Sequence, residues 1–366
     1  MFQNIINFTN LGNHPLPEQS RFLSLKVFYH PILNTMKQLT CVYAFLLLFA
    51  YSCQKANTPV NIAETSETSQ IAERNCAADD LFQQQLKDDP SFRARVKEIE
   101  DFTQKMIKSG ELQKGSGSTV DFITIPIVMH VVYNTPEENI SDAQIQSQIE
   151  VLNEDFNLQN ADTRKVPSHF ENVKANVGIK FVLTQVIRKY TSKTSFATNN
   201  SVKKNVLGGS DAIDPSRNLN FWSCNLGQNL LGYAQFPGGN PNTDGVVVLY
   251  SAVGSRAKFS RGTYVNNYDL GRTATHEVGH WMNLRHIWGD ATCGNDYVGD
   301  TPLHNTYNFG CPKADERSTC VGTPLEMWMN YMDYTYDACM YMFSNGQKDR
   351  MLAVFAAGGP RAAFAN

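Results

Sequence analysis

His276-Glu277-Val278-Gly279-His280-Trp281-Met282-Asn283-Leu284-Arg285-His286 is the stretch on which the reading of this chain turns. Residues four apart on a helix lie one above the other, so His276 and His280 present their imidazoles on one face. That spacing lets one zinc ion accept both nitrogens at roughly 2.0–2.1 Å. Glu277 stands beside the first of them, where a carboxylate can take a proton from an activated water. His286 follows His276 by ten residues. A continuous helix would carry it about 15 Å along the axis, out of reach of the same ion. The helix must therefore stop and reverse, which needs a residue tolerant of positive φ, and Asn283 stands there. A solvated amphipathic helix could carry the His-Glu pattern by chance, but the third His and the turn-capable Asn argue against that reading.

With 366 residues the chain can bury one large core or two modest ones. A net charge of −3 with scattered basic residues gives no nucleic-acid footprint. The 42% hydrophobic and 11% aromatic content marks a folded chain rather than a disordered one. Of eight cysteines, Cys41 and Cys53 lie in an N-terminal apolar segment, Cys76 and Cys224 are isolated, and Cys293, Cys311, Cys320 and Cys339 cluster. The cluster reads as two disulfides, hence an oxidising compartment, with three pairings open. A second zinc on those four is disfavoured by the absence of a Cys-x2-Cys pair.

Residues 1–35 show no coherent pattern and read as an untranslated or non-native extension ahead of Met36. Residues 36–53 carry a positive start, a short apolar core and small residues, the layout of an export signal too short to span a bilayer comfortably. Cys53 at its end is a candidate for lipidation and membrane anchoring of an exported bacterial protein, although Ala50 and Tyr51 match a lipobox only loosely. Residues 54–114 read as a linker and pro-segment: a polar tether over 54–75, then one helical segment over about 79–107. Lys114-Gly115-Ser116-Gly117-Ser118 is a second linker and a plausible processing site, which leaves 115–366 as the main domain.

That domain is expected to be α+β. Strands are predicted over 122–133, 178–183, 218–224, 231–237 and 244–250, with 231–237 at an edge because Pro237 and glycines follow. An edge beside a cleft can pair with an extended peptide substrate. Ser141 caps a helix whose apolar face is Ile145, Ile149, Leu152 and Phe156, and a last helix is predicted near 347–356.

Joined to Met329-Asn330-Tyr331-Met332-Asp333-Tyr334, the histidine stretch resembles the metzincin metalloproteases, and more narrowly the pappalysin family, from about Thr119 to the C-terminus. The resemblance implies a twisted mixed sheet with a long zinc-binding helix in an upper subdomain. It also implies an irregular, disulfide-stapled lower subdomain ending in a helix. By the same token His276, His280 and His286 would bind zinc, Glu277 would be the general base, and Met332 would lie beneath the metal without ligating it. Tyr334 would stabilise the oxyanion or swing off the metal. The pairing implied for the cysteines is Cys293 with Cys320 and Cys311 with Cys339. Residues 295–302 resemble the family's calcium loop, with Asp296 and Asp300 giving carboxylates and Val298 and Thr301 giving carbonyls. Asn283 departs from the usual Gly.

Cys76, in Arg74-Asn75-Cys76-Ala77, could fill the fourth zinc position and silence the enzyme, as a similar Arg-flanked Cys does in the family's proenzymes; Ala77 stands where Gly is usual. A bystander thiol or a bond to Cys224 is the plainer alternative. The family's taste for Arg after the scissile bond needs an acidic pocket, for which Asp337 is the candidate. The expected activity is thus zinc-dependent endoproteolysis of protein or peptide substrates by a monomer made as a zymogen. The rival readings are a catalytically silent binding protein of the same fold and a zinc amidase acting on cell-wall peptides.

Overall fold

The computed structural model describes residues 73–114 and 123–365. The extension, the export signal with Cys53, the tether and most of the second linker lie outside the described residues. Five strands form one sheet in the order β2 (Ile179–Tyr190), β1 (Ile123–Tyr133), β3 (Leu219–Cys224), β5 (Val246–Leu249), β4 (Gly232–Ala234). The first four run parallel and β4 pairs antiparallel to β5, so β4 is an edge as predicted. Parallel strands need covered faces, and β1, β3 and β5 are almost wholly buried, rich in Val, Ile and Phe. β2 runs seven residues past the predicted 178–183 run. Its outer half alternates in exposure, which an edge strand covered on one face permits.

The crossover from β1 to β2 is the helix α4 (Asp142–Phe156), capped by Ser141 through the backbone N–H of Gln144. Ile145, Ile149, Leu152 and Phe156 are buried. The polar groups of α4 grip the next site-bearing element. Gln148 donates to Gly271 O at 3.0 Å, and Asp155 accepts from Arg272 Nε at 2.8 Å and Thr275 Oγ1 at 2.7 Å. These contacts fix the start of α5 (Arg272–Trp281), which is buried along its whole length.

The single helix predicted over 79–107 is instead two, α1 (Ala78–Asp88) and α2 (Pro90–Ser109), followed by a short α3 (Glu111–Lys114). Pro90 is the cause: the residue before proline is pushed to extended geometry, and Asp89 sits at φ −125°, ψ 97°. Its carboxylate caps α2 through Ser91 N at 2.8 Å. Helix α2 lies against α6 (Asn345–Ala353), where Glu100 makes a bidentate pair with Arg350 at 3.0 and 2.9 Å. Between α5 and α6 the chain is irregular, stapled by Cys293–Cys320 and Cys311–Cys339. Cys76 and Cys224 are both free and buried.

Candidate metal centre and cleft

Helix α5 ends in a Schellman motif. Asn283 adopts φ 74°, its N–H donates to His280 O at 2.9 Å, and Leu284 N donates to Gly279 O at 3.0 Å. The reversal returns His286 to its two predecessors. His280 Nε2 lies 3.1 Å from both His276 Nε2 and His286 Nε2. Each Nδ1 is taken up elsewhere: by Tyr331 O for His276, Leu284 O for His280 and Asp290 Oδ1 for His286. That fixes tautomers with three Nε2 lone pairs aimed at one point. Burial holds His276 and His280 well below the usual imidazole range, so both stay neutral, the form that ligates. The donor set therefore fits zinc, and Cys76 Sγ joins it: the four ligand atoms lie within 4.8 Å of one another.

Two glycines allow the close approaches around this point. A side chain at Gly279 would meet Met332 Sδ at 2.5 Å, so α5 can lie directly on the methionine turn. One at Gly232 would meet Glu277 Oε1 at 2.7 Å, so the carboxylate lies against strand β4. Glu277 is 1% exposed, and burial pushes its carboxyl up to about 8. Cys76 Sγ donates to Glu277 Oε2 at 3.4 Å, and burial with the Glu277 charge pushes that thiol well up. Tyr334 stacks edge-on to His286 at 5.0 Å and donates to Cys76 O at 3.1 Å.

Residues 75–77 lie along β4 in parallel sense: Leu231 N donates to Asn75 O at 2.9 Å and Ala77 N to Gly232 O at 3.2 Å. Arg74 enters a buried pocket and pairs with Asp337 Oδ1 at 2.6 Å, also donating to Thr273 Oγ1 at 3.2 Å. Asp337 is fully buried, and its second oxygen accepts from Leu270 N at 2.9 Å and Arg272 N at 3.2 Å.

The residues of the expected calcium loop hydrogen-bond to one another and to the start of α6. Asp296 accepts from Thr301 Oγ1 at 2.8 Å, and that hydroxyl also reaches Val298 O at 3.1 Å. Thr301 thus turns its hydroxyl to Asp296. Asp300 faces the start of α6, accepting from Ser344 Oγ at 2.7 Å and Gly346 N at 2.9 Å. Burial pushes Asp296 up to about 6.

Sequence reasoning missed three supports. Asp290 orients His286, and its place four residues after that His was a usable signal. Trp288 stacks on His286 at 4.3 Å. The Arg74–Asp337 pair spans 263 residues and left no local sign.

Comparison with known proteins agrees with this geometry. The family model described as pregnancy-associated plasma protein-A matches residues 232–356. An extracellular metalloprotease of Arthroderma benhamiae is 32% identical over 240 residues, 64% of this chain and 73% of that protein. Extracellular metalloprotease 1 of Coccidioides posadasii is 35% identical over 257 residues, 66% of this chain and 80% of that protein. Mature mirolysin of Tannerella forsythia in complex with a cleaved peptide is 47% identical, with TM-score 0.64 over 67% of this chain and 96% of that one. A promirolysin variant of the same organism is 42% identical, with TM-score 0.70 over 80% of this chain and 97% of that one. The chain belongs to the pappalysin family of metzincin zinc metalloendopeptidases.

Proposed function

We propose that this chain is an exported zymogen of a zinc endopeptidase that cleaves before Arg and is silenced by its own residues 73–114. One observation carries the reading: three Nε2 atoms and Cys76 Sγ share one centre while Arg74, two residues away, sits on Asp337. His276, His280 and His286 would hold the zinc, which when bound supplies a Lewis acid for the scissile carbonyl and for water. Glu277 takes the proton of the attacking water and passes it to the leaving nitrogen. Tyr334, freed from Cys76 O, donates to the developing oxyanion. Strand β4, freed from residues 75–77, pairs with the substrate backbone.

Asp337 is the acidic floor that would take Arg after the scissile bond, a role Arg74 imitates. Arg74 precedes Cys76 in the chain yet fills the pocket for the residue after the bond. The pro-segment therefore lies in the cleft with reversed polarity. With zinc bound, Cys76 would hold the fourth position through its sulfur while its proton passes to Glu277, its hydrogen-bond partner, so that both the open position and the base are taken. Asp296, Asp300, Val298 and Thr301 would hold calcium, and the support is the buried Asp296 carboxylate beside the Thr301 hydroxyl, which itself reaches the Val298 carbonyl. Lipid anchoring through Cys53 and a monomeric state complete the reading.

The test is cleavage of a denatured protein by the full chain with zinc and calcium. Wild type should be slow until processed, Cys76→Ala active at once, and a chelator should abolish both activities. A wild-type chain as active before processing as Cys76→Ala would reject the latency reading, and cleavage untouched by chelation would reject the metal.

A further inference from the structure

We infer that Phe236 and Arg285 form a specificity subsite that takes an aromatic side chain on the N-terminal side of the scissile bond. The inference rests on the reading of the Asp337 pocket as the site for the residue after that bond. From Cys76 the pro-segment leads in two directions. Arg74 goes to Asp337, and α1 passes the other way, along Tyr233 to Phe236, where residues before the bond would lie. At an extended rise of roughly 3.3 Å per residue, the four steps from Gly232 to Phe236 correspond to about four substrate residues.

Phe82 of α1 is seated in this subsite. Its ring lies 4.8 Å from that of Phe236, and the Arg285 guanidinium sits 3.9 Å above its centroid. The same guanidinium is 4.8 Å from the Phe236 ring, so the three groups meet pairwise and the Phe82 ring covers a cation–aromatic pair that Arg285 and Phe236 already make. Phe236 in turn lies 5.2 Å from His280, which ties the pair to the metal centre. Phe82 and Phe236 are each 3% exposed. When residues 73–114 leave, both faces open to the cleft. A flat ring restores the tilted ring contact and the cation–π contact, whereas an aliphatic side chain restores only part of the burial. Asp79, one helical turn before Phe82, balances Arg285 at 3.7 Å.

The experiment takes the full chain through removal of its pro-segment and profiles cleavage of a peptide library. Arg is fixed after the bond, and the four preceding positions are varied. The expected result is enrichment of Phe, Tyr and Trp over Ala by about tenfold at one of those positions. Phe236→Ala and Arg285→Met should each collapse that aromatic-to-alanine ratio toward one. Calorimetry of the N-terminal product peptides should show the same ratio in Kd, without relying on turnover. Wild type lacking any aromatic enrichment overturns the inference even if the variants do not fold, as does enrichment that both variants keep. A library with Arg varied separates the two readings. Loss of Arg preference sinks the Asp337 pocket, while intact Arg preference without aromatic preference sinks this subsite alone.

Discussion

On one side of α5, parallel strands share ladder hydrogen bonds over a core of Val, Ile and Phe. On the other, residues 282–344 bury Met, Trp and Tyr side chains in the same core, but two disulfides and individually placed polar groups stand in for a ladder, with a single 3₁₀ turn and isolated bridges for regular structure. The sheet side delivers a backbone edge, β4, to the cleft. The irregular side delivers side chains: His286, Tyr334 and Asp337. A ladder tolerates exchange of one apolar side chain for another, because its geometry is carried by repeated backbone bonds. A pocket built from single contacts does not. The lower side is therefore where one substitution should cost most, with α5 as the joint between the two.

The largest effect is expected at that joint. Glu277→Ala should lower turnover by about 10³-fold with zinc content, measured by atomic emission, unchanged; wild-type turnover would remove Glu277 from the chemistry. Next, replacing Cys311 and Cys339 together by Ser opens a 28-residue separation and should cost about 3 kcal/mol in denaturant unfolding. Asp337→Asn should reduce the preference for Arg after the bond by about thirtyfold, about 2 kcal/mol, in paired-peptide kinetics.

Calcium supplies a smaller, pH-signed effect. Because burial raises Asp296 to about 6, the metal-free fold holds a proton that the unfolded chain has already released. Metal-free stability should therefore fall as pH rises from about 4 to about 6. Calcium needs the carboxylate form, so at ten times Kd it should add about 1.4 kcal/mol above pH 7 and progressively less below about 6, read by thermal unfolding. A calcium effect that is the same at pH 5 and pH 7.5 would count against Asp296 as a ligand. The smallest effect belongs to the sheet: Ile127→Val in β1 should cost about 1 kcal/mol and leave cleavage unchanged. If it cost more than the disulfide, the contrast between the two sides would be wrong.

How legible each side was in the sequence follows the same division. The strands and the capped α4 were readable because period and β-branched runs are local signals. Only ends shifted, as in β2, where Thr184-Gln185 looked like a stop but lies on a half-exposed edge. The break at Asp89–Pro90 was also local and was passed over in favour of helical spacing. The metal centre was readable because Asn283 and three histidines sit within eleven residues. The irregular side had no period to read. Its disulfide pairing came from resemblance, and the hydroxyl role of Thr301 and the turn of Asp300 toward α6 depend on contacts with residues more than forty positions away in the latter case.

The parallel run of residues 75–77 along β4 has a consequence for timing. On the proposed direction of the substrate, a segment in this sense presents its peptide bonds to the base in the wrong order, so the occupant would block the cleft without being consumed there. Liberation must then begin with a cut elsewhere, made by another molecule. Freshly exported protein should accordingly pass through a lag that shortens with concentration and vanishes when a trace of processed enzyme is added.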